Sequence, residues 1–132
     1  MIQAIEKAIR STLTGSAGVS NIVSTRVYAG IAPDAGTMPF VVFTINGGGA
    51  DNDTALDSAD LRYAIMGVSD KQLQAVQIAD AIRSALHEQS MAIDSPWLVY
   101  RVQETGAIAY VDDVDGKPFF RRGGIYRIRV SK

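Results

Sequence analysis

Cysteine is absent and histidine occurs once, as His87, in a chain of 132 residues. Without thiols there is no disulfide, no thiolate nucleophile and no sulfur metal site, so thiol redox chemistry is excluded. A lone imidazole has no second histidine with which to share a metal, and at the end of a helical stretch, where the dipole favours a cation, it is expected at the surface. A serine triad would have to use His87, and no Gly-x-Ser-x-Gly occurs. No nucleophile, base and orienting group can be gathered around it, so no enzyme and no cofactor are expected. No apolar run approaches the ~20 residues needed to span a bilayer. The start, Met1-Ile2-Gln3-Ala4-Ile5-Glu6-Lys7, lacks the basic stretch and apolar core of a secretory signal. A soluble chain made in the cytoplasm, with no membrane partner, is expected.

What is present is an ordinary globular composition, 47% hydrophobic and 20% charged, at a length that suits one domain over 1–132 with one core. The charge content is slightly low, which leaves surface for a partner to bury. The formal net charge of -1 gives no global attraction to nucleic acid, but the charges are unevenly placed. Arg121, Arg122, Arg127, Arg129 and Lys132 fill the end without an acid, while Asp51, Asp53, Asp57 and Asp60 crowd one mid-chain segment. The two patches either meet between subunits or are separately solvated, and exposed pairs are worth only ~0 to 1 kcal/mol each.

Residues 2–14 read as an amphipathic helix with Ile2, Ile5, Ile9 and Leu13 on one side, ended by Gly15 and Gly18. Val19, Ile22 and Val23 follow as a short connection with room for one more helical turn. Then comes the most specifically ordered stretch of the chain: Arg26-Val27-Tyr28, Ala32-Pro33, and Met38-Pro39 opening Phe40-Val41-Val42-Phe43. The prolines fix φ and extend the residues before them, and Gly30, Asp34 and Gly36 supply turn chemistry, so the segment is a restrained excursion. Residues 40–45, β-branched and aromatic without alternation, read as a strand covered on both faces.

Residues 46–54, beginning Asn46-Gly47-Gly48-Gly49, read as a protruding loop rather than a tight hairpin. Residues 61–68 alternate as a strand with Leu61, Tyr63 and Ile65 on one face. Ser69 with Gln72 forms a capping-box pattern, opening a helix to about residue 88 whose stripe is Leu73, Val76, Ala79, Ile82, Ala85 and Leu86, joined by Ala75 and Ile78. Residues 97–103, 108–111 and 125–130 read as further strands, with a turn over 112–118 and long hairpin arms. The fold class is therefore α+β: a mostly antiparallel sheet with two main helices packed on one face.

Three partial motifs fail on their residues. In Asp113-x-Asp115-Gly116 the first position of a calcium loop falls on Val111 and the bidentate glutamate position on Arg122, so it is a turn and no metal is expected there. The four mid-chain aspartates sit beside a glycine-rich stretch that pre-organises nothing for a cation. Gly47-Gly48-Gly49 lacks the following lysine and hydroxyl of a phosphate cradle. Phe119-Phe120 beside Arg121-Arg122 resembles single-strand binders only weakly, and contact with a partner protein fits as well.

Taken in order, Arg26-Val27-Tyr28, Ala32-Pro33, Met38-Pro39-Phe40-Val41-Val42-Phe43, the alternating strand, Ser69-Asp70, the helix ending Ala85-Leu86 and the last strand Tyr126-Arg127-Ile128-Arg129-Val130 resemble the phage tail completion family, also described as tail-terminator or tail-to-head joining proteins. The resemblance implies a structural virion protein that forms a ring of six copies, caps the end of a tail tube and joins it to the head connector. Its partners would be itself, the tail-tube protein and a head-connector or stopper protein, with phage DNA passing through without specific binding. It would lie at the head-proximal end of the virion tail, after assembly in the host cytoplasm. The docking candidates are Gly47, Gly48, Asp51 and Asp53 near one loop and Asp113, Asp115, Lys117, Phe119, Arg121 and Arg122 around the hairpin. Asp51, Asp53 and Asp57 are also candidates for lining a channel and repelling DNA. Two alternatives stay open: another neck, head-completion or tailocin subunit, or a small nucleic-acid or ligand-binding module using the basic end.

Overall fold

The computed structural model describes residues 1–32, 37–50 and 58–132. Its elements run α1 (Ile2–Thr14), α2 (Ala17–Val23), β1 (Val27–Ala29), β2 (Phe40–Ala50), β3 (Ser58–Ser69), α3 (Gln72–Leu86), β4 (Leu98–Val114) and β5 (Lys117–Ser131). The strands form one sheet in the order β1-β2-β3-β5-β4. β1 is parallel to β2 and every other pairing is antiparallel, which confirms an α+β fold with a mostly antiparallel sheet.

The main core lies between the helices and one face of the sheet. Ile5, Ala8, Ile9 and Leu13 of α1 and Ala75, Ile78, Ile82 and Leu86 of α3 are buried with Val41, Phe43, Leu61, Tyr63, Ile65, Tyr126, Ile128 and Val130. Each such aliphatic side chain contributes about 1.5 to 3 kcal/mol of transfer free energy. The opposite face carries a second, smaller core of Phe40, Val42, Ala64, Met66, Val68 and Phe119, against which Tyr28, Ala32 and Met38 pack. Phe40 to Phe43 is thus covered on both sides, and the proline-framed excursion is the cover of the second. Arg26 closes it, its Nε donating to Pro39 O at 2.8 Å while its own carbonyl accepts from Val41 N–H at 2.9 Å. Pro33, Asp34 and Gly36 lie outside the described residues.

Several sequence expectations are corrected. Gly18 does not end a helix but lies inside α2, and Gly15 caps α1. The glycine triplet is not a loop: β2 continues through it to Ala50, paired with β3 down to Ala59, with a register shift between Ile45 and Gly47. The glycines are required by geometry, since Gly48 has φ +94 and a Cβ there would lie 2.1 Å from Asp60 O. A bulge, not a turn, is what this composition encodes. The two strands expected around 97–103 and 108–111 are one 17-residue strand, β4, bent by irregularities at Val99/Arg101 and Glu104/Gly106.

The helix start is also different. Lys71 is the N-cap of α3 and Ser69 precedes it, its hydroxyl accepting from Lys71 N–H at 3.0 Å and donating to Gln74 Oε1 at 2.7 Å. Leu73, expected in the apolar stripe, is 70% exposed.

Candidate functional site

The β4–β5 hairpin is turned by Asp115 (φ 53) and Gly116 (φ 78), a two-residue connection of the type that matches strand twist. Val114 pairs with Lys117 and Asp113 with Pro118. β3 stops pairing with β5 at Ser69 and Phe120, so the hairpin runs on past the sheet. That projection carries the exposed Val111, Asp113, Val114, Asp115 and Lys117. Within it, Arg121 Nε donates to Asp112 Oδ2 at 2.6 Å, and the Arg121 guanidinium lies 5.9 Å from the Tyr110 ring centre.

A cleft of about 220 Å³ opens between α3 and the hairpin, lined by Val76, Ala79, Asp80 and Arg83 on the helix side and Glu104, Ala107, Ala109 and Arg122 on the sheet side. Small residues, Ala107, Ala109 and Gly123, form its sheet wall, while α3 is seated on β3 at Gly67, where a Cβ would lie 2.3 Å from Ile78 Cγ2. Arg83 and Glu104 close one end at 3.2 Å, and Tyr126 donates its hydroxyl to the same Glu104 Oε2 at 3.3 Å. Burial, reinforced by the neighbouring Glu104 carboxylate, pushes the Tyr126 phenol well above its ordinary value.

The basic end finds partners inside the chain rather than forming a free patch. β3–β5 pairing sets Asp60 among Arg62, Arg127 and Arg129, and Arg127 forms a forked pair with its carboxylate. That bond first, and the surrounding guanidinium charges with it, hold the Asp60 carboxyl below its usual range against the opposing cost of burial. Arg129 lies 5.5 Å from the Tyr100 ring centre and Lys132 Nζ 5.6 Å from the Trp97 ring centre. One contact between the acidic and basic segments is therefore within the subunit.

Of the docking candidates, the structure gathers Asp113, Asp115 and Lys117 at the hairpin tip, and Arg122 sits in the cleft. Arg121 is held by Asp112, Phe119 is 8% exposed within the second core, and Gly47 and Gly48 are bulged-strand residues. Phe119 and Phe120 point to opposite faces, Phe119 with Arg121 and Phe120 with Arg122, so the two aromatics do not form one stacking surface. Asp51, Asp53 and Asp57 lie outside the described residues. His87 is not a free surface group: it caps α3, and its Nδ1 accepts from Glu104 N–H at 3.0 Å. Sequence reasoning missed the cleft and the uncovered upper part of β4; the uncharged run Gly106-Ala107-Ile108-Ala109-Tyr110-Val111 was their only signal.

Tyr110, Val111 and Val114 stand exposed on the projecting hairpin beside Asp113, Asp115 and Lys117, a surface of the kind that suits contact with a partner. The chain belongs to the family described as tail completion protein gp17, whose model matches residues 7–118. It is a structural protein of the bacteriophage tail. A solved structure described as the virion of a native gene transfer agent particle contains a chain of the same fold, with a TM-score of 0.75 at 19% identity, covering 99% of this chain and 97% of that one. No curated protein matches.

Proposed function

We propose that six copies of this chain form a ring that closes the end of the tail tube and joins it to the head connector, DNA passing through the centre. The observation that carries the reading is the hairpin that outruns its sheet: Val111 and Val114 are 56% and 46% exposed on a projection where none of the described residues buries them. In a tail completion protein the tube end or the connector is the natural cover. Asp113, Asp115 and Lys117 at the tip and Arg122 in the cleft then act as docking groups, and the protein works by shape and charge rather than by catalysis. Its place is the head-proximal end of the tail, reached after assembly in the host cytoplasm.

The test is complementation of a deletion of this gene. The wild-type chain should restore tails of defined length joined to heads, and Val111→Asp with Val114→Asp should leave unjoined or overlong tails while the purified variant keeps its melting temperature. Full complementation by that variant, or a deletion that stalls head filling while tails remain normal, overturns the reading.

A further inference from the structure

We infer that the upper edge of β4 is a self-pairing surface that joins two copies of this chain about a two-fold axis at Ala109. The inference starts from which sheet edges are free among the described residues. The β1 edge is closed by its own chain: Val27 N–H donates to Thr25 O, Val27 O accepts from Arg10 Nε, and Ala29 O accepts from Ile31 N–H. The lower part of β4 is closed as well, since Val102 O accepts from Glu88 N–H and Glu104 N–H is taken by His87 Nδ1. Where β5 outruns β3 the edge residue is Pro118, which has no N–H to offer.

β2 from Thr44 to Ala50 also has no strand on its outer side among the described residues, but the bulge between Ile45 and Gly47 breaks its regular pattern. The other stretch that remains is 105–113. The hairpin closes on the Val114–Lys117 pair, so Val114, Asp112, Tyr110 and Ile108 direct their backbone groups to β5. Ala107, Ala109, Val111 and Asp113 direct theirs outward. The irregularity at Glu104/Gly106 reverses this phase, in agreement with the outward bonds of Val102 and Glu104. From Thr105 to Val111 the edge carries no charge, no proline and no lysine, the devices that normally keep such an edge from pairing.

Two copies of one antiparallel edge, pairing like with like about a two-fold axis, close on themselves. The stretch is also its own complement. It is bounded by His87 and Glu88 at one end and the Asp115-Gly116 turn at the other, and its centre is Ala109. Antiparallel pairing there sets Ala107 opposite Val111 and Ile108 opposite Tyr110, large against small on the α3 face. Asp113 meets Thr105 and Asp112 meets Gly106, so no two carboxylates oppose one another. Ala107, Val111 and Ala109 of the two strands would exchange about six hydrogen bonds, and each partner's Val111 would lie beside the other's cleft wall at Ala107. This contact goes beyond the ring reading and is distinct from it, because a two-fold pair is not a ring contact.

The experiment uses the full chain. Sedimentation should show a dimer at ~100 µM, and Ala109→Pro, which removes an outward N–H that β5 does not use, should weaken it roughly tenfold or more. Val111→Lys should do the same without touching the backbone. Because the chain has no cysteine, Ala109→Cys places one thiol on each strand with Cα atoms about 5.5 Å apart, within disulfide reach. It should cross-link to a dimer on mild oxidation, whereas Ser84→Cys on the exposed side of α3 should not. A monomeric wild type, a dimer or ring indifferent to both Ala109→Pro and Val111→Lys, or Ala109→Cys linking no faster than Ser84→Cys overturns the inference. None of these outcomes touches the ring reading, which is decided on tails.

Discussion

Replacing Gly67 by alanine tests how α3 is seated on the sheet. In an unobstructed strand the change would stabilise by about 0.5 to 1 kcal/mol, because alanine loses less backbone entropy than glycine. Here the added Cβ would lie 2.3 Å from Ile78 Cγ2 and 2.6 Å from Ile78 Cβ, both near the root of a β-branched side chain that cannot swing away. The helix must move outward, and overpacking of this kind costs about 1 to 3 kcal/mol. At about 2.1 cal/mol/K per residue, 132 residues give an unfolding entropy near 0.28 kcal/mol/K, so a loss of ~3 kcal/mol lowers the melting temperature by about 11 °C.

The companion variant Ile78→Ala, at a site with no exposure, should cost about 2 to 5 kcal/mol by leaving a cavity. It also removes Cγ2 and Cδ1, two of the three atoms the new methyl would meet. Cβ remains 2.6 Å from the added methyl, so in that background Gly67→Ala should cost less than in the wild type without becoming neutral, a coupling of ~0.5 kcal/mol or more. Urea unfolding followed by far-ultraviolet dichroism and by the fluorescence of the single tryptophan, Trp97, measures all four corners of the cycle. A neutral or stabilising Gly67→Ala, or strict additivity of the two changes, would show that α3 does not rest on this glycine.

Two further outcomes concern charge. Because the folded Asp60 carboxyl is held below its unfolded value, its contribution is present above that unfolded value and is lost as the pH falls through the folded one. Asp60→Asn should thus cost about 1 kcal/mol near neutrality, discounted for the partial exposure of the pair, and the deficit should be smaller in acid, below the unfolded carboxylate value, than at neutral pH. An equal deficit at both pH values would remove the ion pair as the cause. Tyr63 donates its hydroxyl to Glu6 Oε2 at 3.1 Å, and burial, followed by the charge of Glu6, raises its phenol as it does that of Tyr126. A raised folded value means that this stability is complete below the unfolded tyrosine value and declines above it. Ultraviolet titration should show two phenols ionising only with alkaline unfolding, and Tyr63→Phe should cost about 1 to 2 kcal/mol and free one of those two steps.

What the sequence made legible follows from how local each signal is. The stripe of α1 and most of α3 was readable because positions three and four apart share a face, and the hairpin turn because Asp115-Gly116 adopts left-handed backbone at little cost. The glycine triplet misled because a bulge and a loop draw on the same residue. Only the approach of Asp60 O, thirteen or fewer residues on but across the sheet, decides between them. Thr105-Gly106 read as a break between strands for the same reason. Leu73 fitted the helical period, but the first turn of α3 stands past the residues that would cover it. His87 looked like a surface cation because its partner, Glu104 N–H, lies 17 residues away.

The proposed docking surface was half legible. Charge on a turn is visible in a string of letters, so the tip residues Asp113, Asp115 and Lys117 were named; whether a strand lies at an edge depends on the order of the whole sheet. That order has a consequence for assembly. β1 is blocked by Arg10, Thr25 and Ile31, lower β4 by His87 and Glu88 and the end of β5 by Pro118, while β2 beyond Phe43 and upper β4 have no strand on their outer sides among the described residues. An open edge is an aggregation hazard, and closing the others leaves edge adhesion to the bulged end of β2 and to residues 105–113. Side-chain faces, where Leu73, Tyr110 and Val114 stand exposed, offer a second kind of contact. Faces of that kind recognise shape, and shape is what distinguishes the end of a tube from its wall.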